Sequence, residues 1–155
     1  AILFYVPVYV LMNAAAFGMI LLIRKGETFG ENVDDLRGLA RKSPAAAASL
    51  LVLLLSLTGI PPTAGFMGKY FLFAAAVEKK MILLAAAGAL NSVISLFYYF
   101  RIGRAILFEE DPAGAPLERS LNPRLILAGV ALALLVLGIF PSLLGGLAAS
   151  SILGK

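Results

Sequence analysis

The residues best suited to chemistry in this sequence lie in the stretch LTGIPPTAGFMGKY, which runs from Leu57 to Tyr70. This stretch places a lysine, Lys69, inside a long apolar segment. A lysine ammonium donates a proton and the neutral amine accepts one, so a lysine relays protons where its surroundings shift the balance between the two forms. The chemistry that the stretch suggests is proton transfer.

The same stretch is expected to interrupt a helix. Pro61 and Pro62 remove two backbone donors, and Gly59 and Gly65 permit backbone conformations that other residues avoid. Within a membrane, freed backbone groups are tolerated only where they face protein or a wet cavity, and transporters build ion sites at such breaks. The alternative is a proline kink used only for packing, which leaves the lysine unexplained.

The composition is that of a membrane protein. The chain has 155 residues, of which 61% are hydrophobic and 14% charged, whereas a soluble domain carries about 25% charged residues. The apolar residues form long runs, which are typical of membrane helices. The sequence contains no cysteine and no histidine, so disulfides, iron–sulfur ligation, haem attachment and the usual zinc sites are excluded within it.

The apolar runs predict an all-α integral membrane chain, a single membrane segment over residues 1–155 with four crossings. A continuous helix from Pro44 to Val77 would be about 51 Å long, too long for one crossing, whereas each half is about 20 Å long and too short. The second crossing is therefore expected to be a discontinuous, broken helix, and Pro141 is expected to bend or end the last one. The predicted helices cover 1–23, 44–58 with 63–78, 81–107 and 124–147, and the loops cover 24–43, with one short helix, and 108–123.

The basic residues support this arrangement. With four crossings, nine of the thirteen Lys and Arg residues lie on one side, which the positive-inside rule makes cytoplasmic, and three lie on the other. The nine are Arg24, Lys25, Arg37, Arg41, Lys42, Arg101, Arg104, Arg119 and Arg124, and the three are Lys79, Lys80 and Lys155. Loops 24–43 and 101–124 are thus expected to be cytoplasmic and the C-terminus periplasmic. This topology explains the net charge of +4 better than nucleic-acid binding does.

The remaining cation is Lys69. It lies about nine residues, or about 13 Å, from the expected end of its helix near Glu78, close to the midplane of a ~30 Å hydrocarbon core. A charge at that depth costs at least ~2.5–3.5 kcal/mol, so Lys69 is expected to face protein or water. One interpretation is a titrating group on an ion pathway. The alternatives are a lysine that pairs with an acidic residue on another helix as structural glue, and a topology that brings Lys69 nearer the surface.

Three further polar residues are candidates for lining such a pathway. Thr63 lies in the break, and Asn91 and Ser95 lie four residues apart, so that they share one face of the third predicted span. Side chains of this kind hold water chains, and they serve equally well to link helices. The sequence begins at Ala1 within an apolar run, without a Met or a signal-peptide pattern, and is expected to be part of a longer membrane protein.

Several stretches resemble the antiporter-like membrane subunits of respiratory complex I, over roughly residues 1–108. They are TGIPPTAGFMGKY at 58–70, DLRGLARKSP at 35–44, LNSVISLFYYFR at 90–101 and YVLMN at 9–13. The resemblance implies a larger antiporter-like fold built of two inverted repeats, each with a broken helix, of which this chain is the C-terminal part. The family's lysine on the second broken helix matches Lys69. The family's first-repeat glutamate and lysines have no counterpart, so the chain alone cannot form a complete conduction route.

By the same resemblance, the expected function is proton translocation in NADH–quinone oxidoreductase. Lys69 would pass protons, with energy from quinone reduction elsewhere in the complex. The chain would belong to an enzyme, a translocase, yet perform no redox chemistry, and it would bind no cofactor, because FMN, iron–sulfur clusters and quinone are expected in other subunits. Its expected partners are other membrane subunits, the lipid bilayer, protons and ordered water, without nucleic acid. Its expected location is the bacterial inner membrane, as a multi-pass protein.

Other functions share parts of this pattern. Subunits of multisubunit Na⁺/H⁺ antiporters carry the same Gly-Ile-Pro-Pro…Gly-Lys arrangement, and proton-pumping hydrogenases use related subunits. Thr63 and the ending YYFR at 98–101 favour the complex I branch. A structural membrane subunit that moves no ions is the alternative from another class, and it predicts that Lys69 tolerates a neutral replacement.

Overall fold

The computed structural model describes residues 1–22, 24–25, 28–29, 32–110 and 121–142, and almost all of them are helical. The chain forms α1 (Ile2–Leu22), a two-residue antiparallel pair of β1 (Arg24–Lys25) with β2 (Thr28–Phe29), a 3-10 turn (Val33–Leu36), α2 (Leu39–Lys42), α3 (Pro44–Thr58), α4 (Ala64–Glu78), α5 (Ile82–Phe108) and α6 (Leu121–Ile139). The predicted all-α class is confirmed at the level of a mostly helical chain.

Prolines and glycines set the helix boundaries that matter for the site. α3 begins at Pro44, whose missing N–H would have no partner in a first turn, and ends before Gly59, which has a φ of +87°. The last helix was expected to reach residue 147, but α6 ends at Ile139, two residues before Pro141. Proline has no N–H to continue the ladder, so the helix ends there. Residues 143–155 and 111–120 lie outside the described part of the chain.

The core is formed where α1, α3 and α6 meet. Met12, Leu50, Leu53 and Leu134 are fully buried there, and α4 and α5 pack around them. By contrast, α5 exposes many large apolar side chains, such as Leu83 at 87%. An exposed apolar helix of this kind fits a membrane or a larger assembly better than water.

Two helices within the described ranges, Ile2–Leu21 and Ile82–Phe108, are long and apolar enough to cross a membrane by themselves. The apolar parts of α3 and α6, Pro44–Thr58 and Leu125–Ile139, are shorter. The number of four crossings therefore stays a prediction, because it depends on counting α3 and α4 as two halves of one crossing.

Candidate functional site

The candidate site is the break between α3 and α4. At the end of α3, the N–H of Ile60 donates to the Leu55 carbonyl oxygen at 3.0 Å, and the N–H of Gly59 donates to that of Ser56 at 3.1 Å. These are the two bonds of a Schellman motif, and the left-handed φ of Gly59 makes them possible. The backbone alone thus satisfies two of the last four carbonyls of α3.

Lys69 satisfies the other two carbonyls. Its Nζ donates to the Leu57 oxygen at 3.0 Å and to the Thr58 oxygen at 2.9 Å. The side chain reaches them by crossing Gly59, where an added Cβ would lie 2.9 Å from the lysine Cδ. A glycine is therefore needed at position 59 for two reasons: its positive φ, and the space that the aliphatic part of the Lys69 side chain occupies. The ammonium lies at the negative end of the α3 dipole, where a cation is favoured.

At the start of α4, two hydroxyls satisfy backbone donors. The Thr63 Oγ1 accepts from the N–H of Phe66 at 3.4 Å and donates to the Ile60 oxygen at 2.7 Å. The Ser56 Oγ accepts from the N–H of Gly65 at 3.1 Å. Thr63 is an ordinary N-cap, whereas Ser56 reaches across from α3, so that one side chain links α3 and α4.

Small residues let neighbouring backbone approach the break closely. A Cβ on Gly65 would overlap the Ser56 carbonyl, and one on Gly138 of α6 would overlap the Pro62 carbonyl and the Thr63 backbone. α6 therefore packs directly onto the unwound segment. The Ser56 hydroxyl also contacts the sulfur of Met12 on α1, with an Oγ–Sδ distance of 2.8 Å. Two neighbouring helices, α6 and α1, thus pack against the break between α3 and α4.

The predicted site residues separate into two groups. Gly59, Pro61, Pro62, Thr63, Gly65 and Lys69 lie together at the break, with Thr63 and Gly65 buried, Gly59 and Lys69 partly buried and the two prolines exposed. Asn91 and Ser95 lie on α5, and neither bonds to the break in the described structure. Asn91 is exposed, and the Ser95 hydroxyl donates to the carbonyl of Ser92 within its own helix at 2.8 Å.

Lys69 has no carboxylate partner among the described residues. The ion pairs of the described residues lie elsewhere, around the 3-10 turn, α2 and the end of α5. Examples are Arg37 Nε with Glu109 Oε2 at 2.9 Å and Arg41 with Glu110 at 2.7 Å. No group of three or more Asp, Glu, His or Cys residues is close enough to hold a metal ion in this part of the chain. The break therefore offers proton chemistry at a single ammonium held by backbone dipoles.

Sequence reasoning missed Ser56 and Gly138. Ser56 lies in an apolar run, where a single serine is commonly a hydroxyl bonded within its own helix, as Ser49 is to the Ala45 carbonyl at 2.9 Å. Its position three residues before Gly59 could have indicated the contact, because α3 ends there. Gly138 gave no signal, since glycine is common in membrane helices.

The family described as NADH:quinone oxidoreductase/Mrp antiporter, TM, matches residues 1–95, more than half of the 155-residue chain. Among curated relatives, NADH-quinone oxidoreductase subunit N 2 of Solibacter usitatus is 41% identical over 88% of this chain and 28% of its own length. Subunit N of Thioalkalivibrio sulfidiphilus is 39% identical over 98% of this chain and 32% of its own length. The chain thus spans about three-tenths of the length of these relatives.

Two solved structures share the fold. A chain of respiratory complex I from Thermus thermophilus, with bound aureothin, superposes with a TM-score of 0.77 at 33% identity, covering 90% of this chain and 32% of that one. A chain of the Mrp complex from a Dietzia species gives a TM-score of 0.74 at 24% identity, covering 91% and 34%. The second likeness is one of fold alone.

Proposed function

Because the chain belongs to the NADH:quinone oxidoreductase/Mrp antiporter membrane family, we propose that it is a portion of a subunit that moves protons in an NADH–quinone oxidoreductase. The family resemblance inferred from the sequence motifs is confirmed, and the membrane location with it. The names of the curated relatives, N subunits of NADH-quinone oxidoreductase, support the enzyme complex. In this proposal the other membrane subunits of the complex are the partners, and the redox cofactors lie in other subunits.

The proton carrier in this proposal is Lys69. Its ammonium donates to two carbonyls at the end of a half-helix, and no carboxylate neutralises it among the described residues. Arrival of positive charge nearby would break one Nζ–H bond, pass the proton to a water molecule and leave the electron pair on the amine. The neutral amine keeps two N–H donors, one for each carbonyl, so the side chain keeps its place until it takes up the next proton. Quinone reduction elsewhere supplies the energy.

The proposal places the break within the membrane. α3 and α4 would form one discontinuous crossing, which, with α1, α5 and α6, gives four crossings and separates the basic residues nine to three. Loops 24–43 and 101–124 would then be cytoplasmic. Asn91 and Ser95 on α5 would line the pathway only where water or a neighbouring helix extends it beyond the break.

The observation that carries the proposal is the pair of bonds from Lys69 to the Leu57 and Thr58 carbonyls. Its test is Lys69→Ala and Lys69→Arg in the full-length subunit of the assembled complex, with Lys79→Ala as a control. Lys79 is an exposed lysine at the end of the same helix. NADH-driven quinone reduction and proton pumping are measured in sealed vesicles, after assembly is verified.

Both Lys69 variants are expected to reduce coupled turnover by about tenfold or more, because arginine keeps the charge but does not release its proton, whereas Lys79→Ala has little effect. Loss in the alanine variant alone would mean that Lys69 acts as a fixed charge. Normal pumping in both, in an assembled complex, would favour the structural subunit. Sodium transport that replaces proton transport in the same vesicles would favour the antiporter.

A further inference from the structure

Three tyrosines from two helices gather beside the break. Tyr5 and Tyr9 lie one turn apart on α1, and their stacked rings have centroids 5.5 Å apart. Tyr99 of α5 is close enough for its phenol to interact electrostatically with both of them. Tyr5 and Tyr99 are half-buried, and Tyr9 is 47% exposed. These three residues form a tyrosine cluster between α1 and α5.

The tyrosine cluster adjoins the break from both sides. Tyr5 packs on α4 at Gly68, the residue before Lys69, where an added Cβ would lie 2.9 Å from the tyrosine Cδ2. Tyr99 lines a cavity next to the break together with Thr58. The Thr58 carbonyl is one of the two that accept from Lys69 Nζ. The cluster therefore lies at the same level as the bound ammonium.

The helix face that carries Lys69 is turned toward α5. Phe73 follows Lys69 by four residues and shares its face of α4. The Phe73 ring meets α5 at Gly88, where an added Cβ would lie 2.7 Å from its Cε1. Ser92 and Tyr99 continue the same face of α5, and both are half-buried. Because the Ser92 hydroxyl donates to the Gly88 carbonyl within α5, it is committed to its own helix, whereas the Tyr99 hydroxyl is not.

The Lys69 ammonium has one donor to spare. It carries three N–H groups, and two of them bond to the carbonyls of Leu57 and Thr58. The third has no acceptor among the described residues. It is therefore available to a water molecule, and Tyr99 beside Thr58 places the cluster next to that water.

The hydroxyls of the tyrosine cluster are also without protein partners in the described part of the chain. A half-buried phenol usually finds a hydrogen-bond partner, and it both donates and accepts. A water molecule inside a protein needs two to four polar partners, and three hydroxyls that approach one another from two helices provide them. An apolar side chain from a neighbouring segment would leave all three unsatisfied.

We propose that the tyrosine cluster holds the water molecules that take the proton from Lys69 and carry it between α1 and α5, an inference that rests on the proposed function. The third N–H bond of the ammonium breaks, its electron pair stays on the nitrogen, and the proton joins a water molecule. Each water or phenol then passes one proton on as it receives another, so one O–H bond forms for each that breaks. The tyrosines stay neutral throughout.

The test uses the full-length subunit in the intact complex, in sealed vesicles. Tyr99→Phe and Tyr9→Phe each remove one hydroxyl and keep the ring. Tyr98→Phe is the control, because Tyr98 is the neighbouring tyrosine of α5 and is 68% exposed. NADH-driven proton pumping is measured in H₂O and in D₂O, after assembly is verified, and Lys69→Ala is measured alongside.

We expect Tyr99→Phe and Tyr9→Phe to slow pumping by about fivefold, and to enlarge the ratio of the rates in H₂O and D₂O, because proton transfer across a missing hydroxyl becomes rate-limiting. A purely structural role would leave that ratio unchanged. Tyr98→Phe should pump like the unaltered protein. Normal rates and a normal ratio in both cluster variants, with pumping blocked in Lys69→Ala, would overturn the cluster and leave the role of Lys69 intact.

A second measurement needs no variant and does not depend on pumping. Hydroxyl radicals are generated from water in the intact complex by a short X-ray pulse, and oxidised tyrosines are identified by mass spectrometry. Tyr9 and Tyr99 should be oxidised about tenfold faster than Tyr98, because such radicals react where water lies next to the side chain. Oxidation as slow as that of Tyr98 would show that protein encloses the cluster and would overturn the proposal. Fast oxidation together with normal pumping in Lys69→Ala would overturn the proposed function and the proton route, but not the water site.

Discussion

Cations are held in two different ways in two regions of this molecule. At the break, Lys69 donates to the carbonyls of Leu57 and Thr58, within a partly buried setting. Around the loop that precedes α3, arginines pair with carboxylates, as Arg41 does with Glu110, whose side chains are 70% and 77% exposed. The first arrangement uses backbone dipoles that never titrate, and the second uses opposite charges in water.

This difference decides what each region can do. An exposed ion pair is screened, contributes little stability, and changes little when a nearby charge changes. An ammonium opposed only by carbonyl dipoles keeps its full positive charge, so another charge arriving close by acts on it strongly. In the proposed function, the break is therefore the region where protonation would respond to the rest of the complex, whereas the loop region fastens one helix end to another.

The largest change in unfolding free energy is expected from Gly138→Ala, because the added methyl group would lie against the break itself. The new Cβ would overlap the Pro62 carbonyl and the Thr63 backbone, so α6 or the unwound segment must shift. Overpacking against backbone is expected to cost ~2–3 kcal/mol of unfolding free energy, measured by detergent titration of the full-length subunit.

Gly129→Ala is the matched control, in the same helix and with open space around its Cβ. It is expected to be neutral or stabilising by up to ~1 kcal/mol, because alanine favours a helix over glycine. Equal stability of the two variants would mean that α6 does not hold the break in place.

The interruption between α3 and α4 could be predicted from sequence largely because prolines and glycines affect the backbone at their own positions. Adjacent prolines and Gly59 limit backbone conformation wherever they occur, and a lysine deep in an apolar run needs a partner in any fold. Which partner Lys69 takes could not be predicted. The Leu57 and Thr58 carbonyls become available only because Gly59 turns the chain back toward the next helix, and that direction is set in three dimensions.

The environment of α5 was harder to predict for a related reason. Its side chains are apolar almost all round, so the sequence does not say which face is covered. Asn91 and Ser95 were grouped with the break because they share a helix face, yet Asn91 is exposed and Ser95 bonds within its own helix. Periodicity identifies residues on one face, but only packing decides what that face meets.

A smaller effect is expected from Ser56→Ala, which removes the hydroxyl that links α3 to α4. The buried N–H of Gly65 would lose its acceptor, at a cost of ~1–2 kcal/mol in the unfolding free energy of the full-length subunit. Ser49→Ala is the control, since the Ser49 hydroxyl bonds only to the carbonyl of Ala45 in its own helix, which keeps its helical partner. A cost at Ser49 as large as that at Ser56 would contradict the linking role.

The smallest effect is expected at the loop, from a double-mutant cycle on Arg37→Gln and Glu109→Gln. The buried Arg37 Nε lies 2.9 Å from Glu109 Oε2 at an angle too bent for a hydrogen bond, so their interaction is one of charge. With side chains 36% and 33% exposed, the coupling free energy should be ~0.5–1 kcal/mol and should fall in high salt.

The parallel cycle on Arg41 and Glu110, which are far more exposed, should give less than ~0.5 kcal/mol. A coupling of several kcal/mol in either cycle, unaffected by salt, would remove the distinction between the two regions, because the loop cations would then be held as firmly as Lys69.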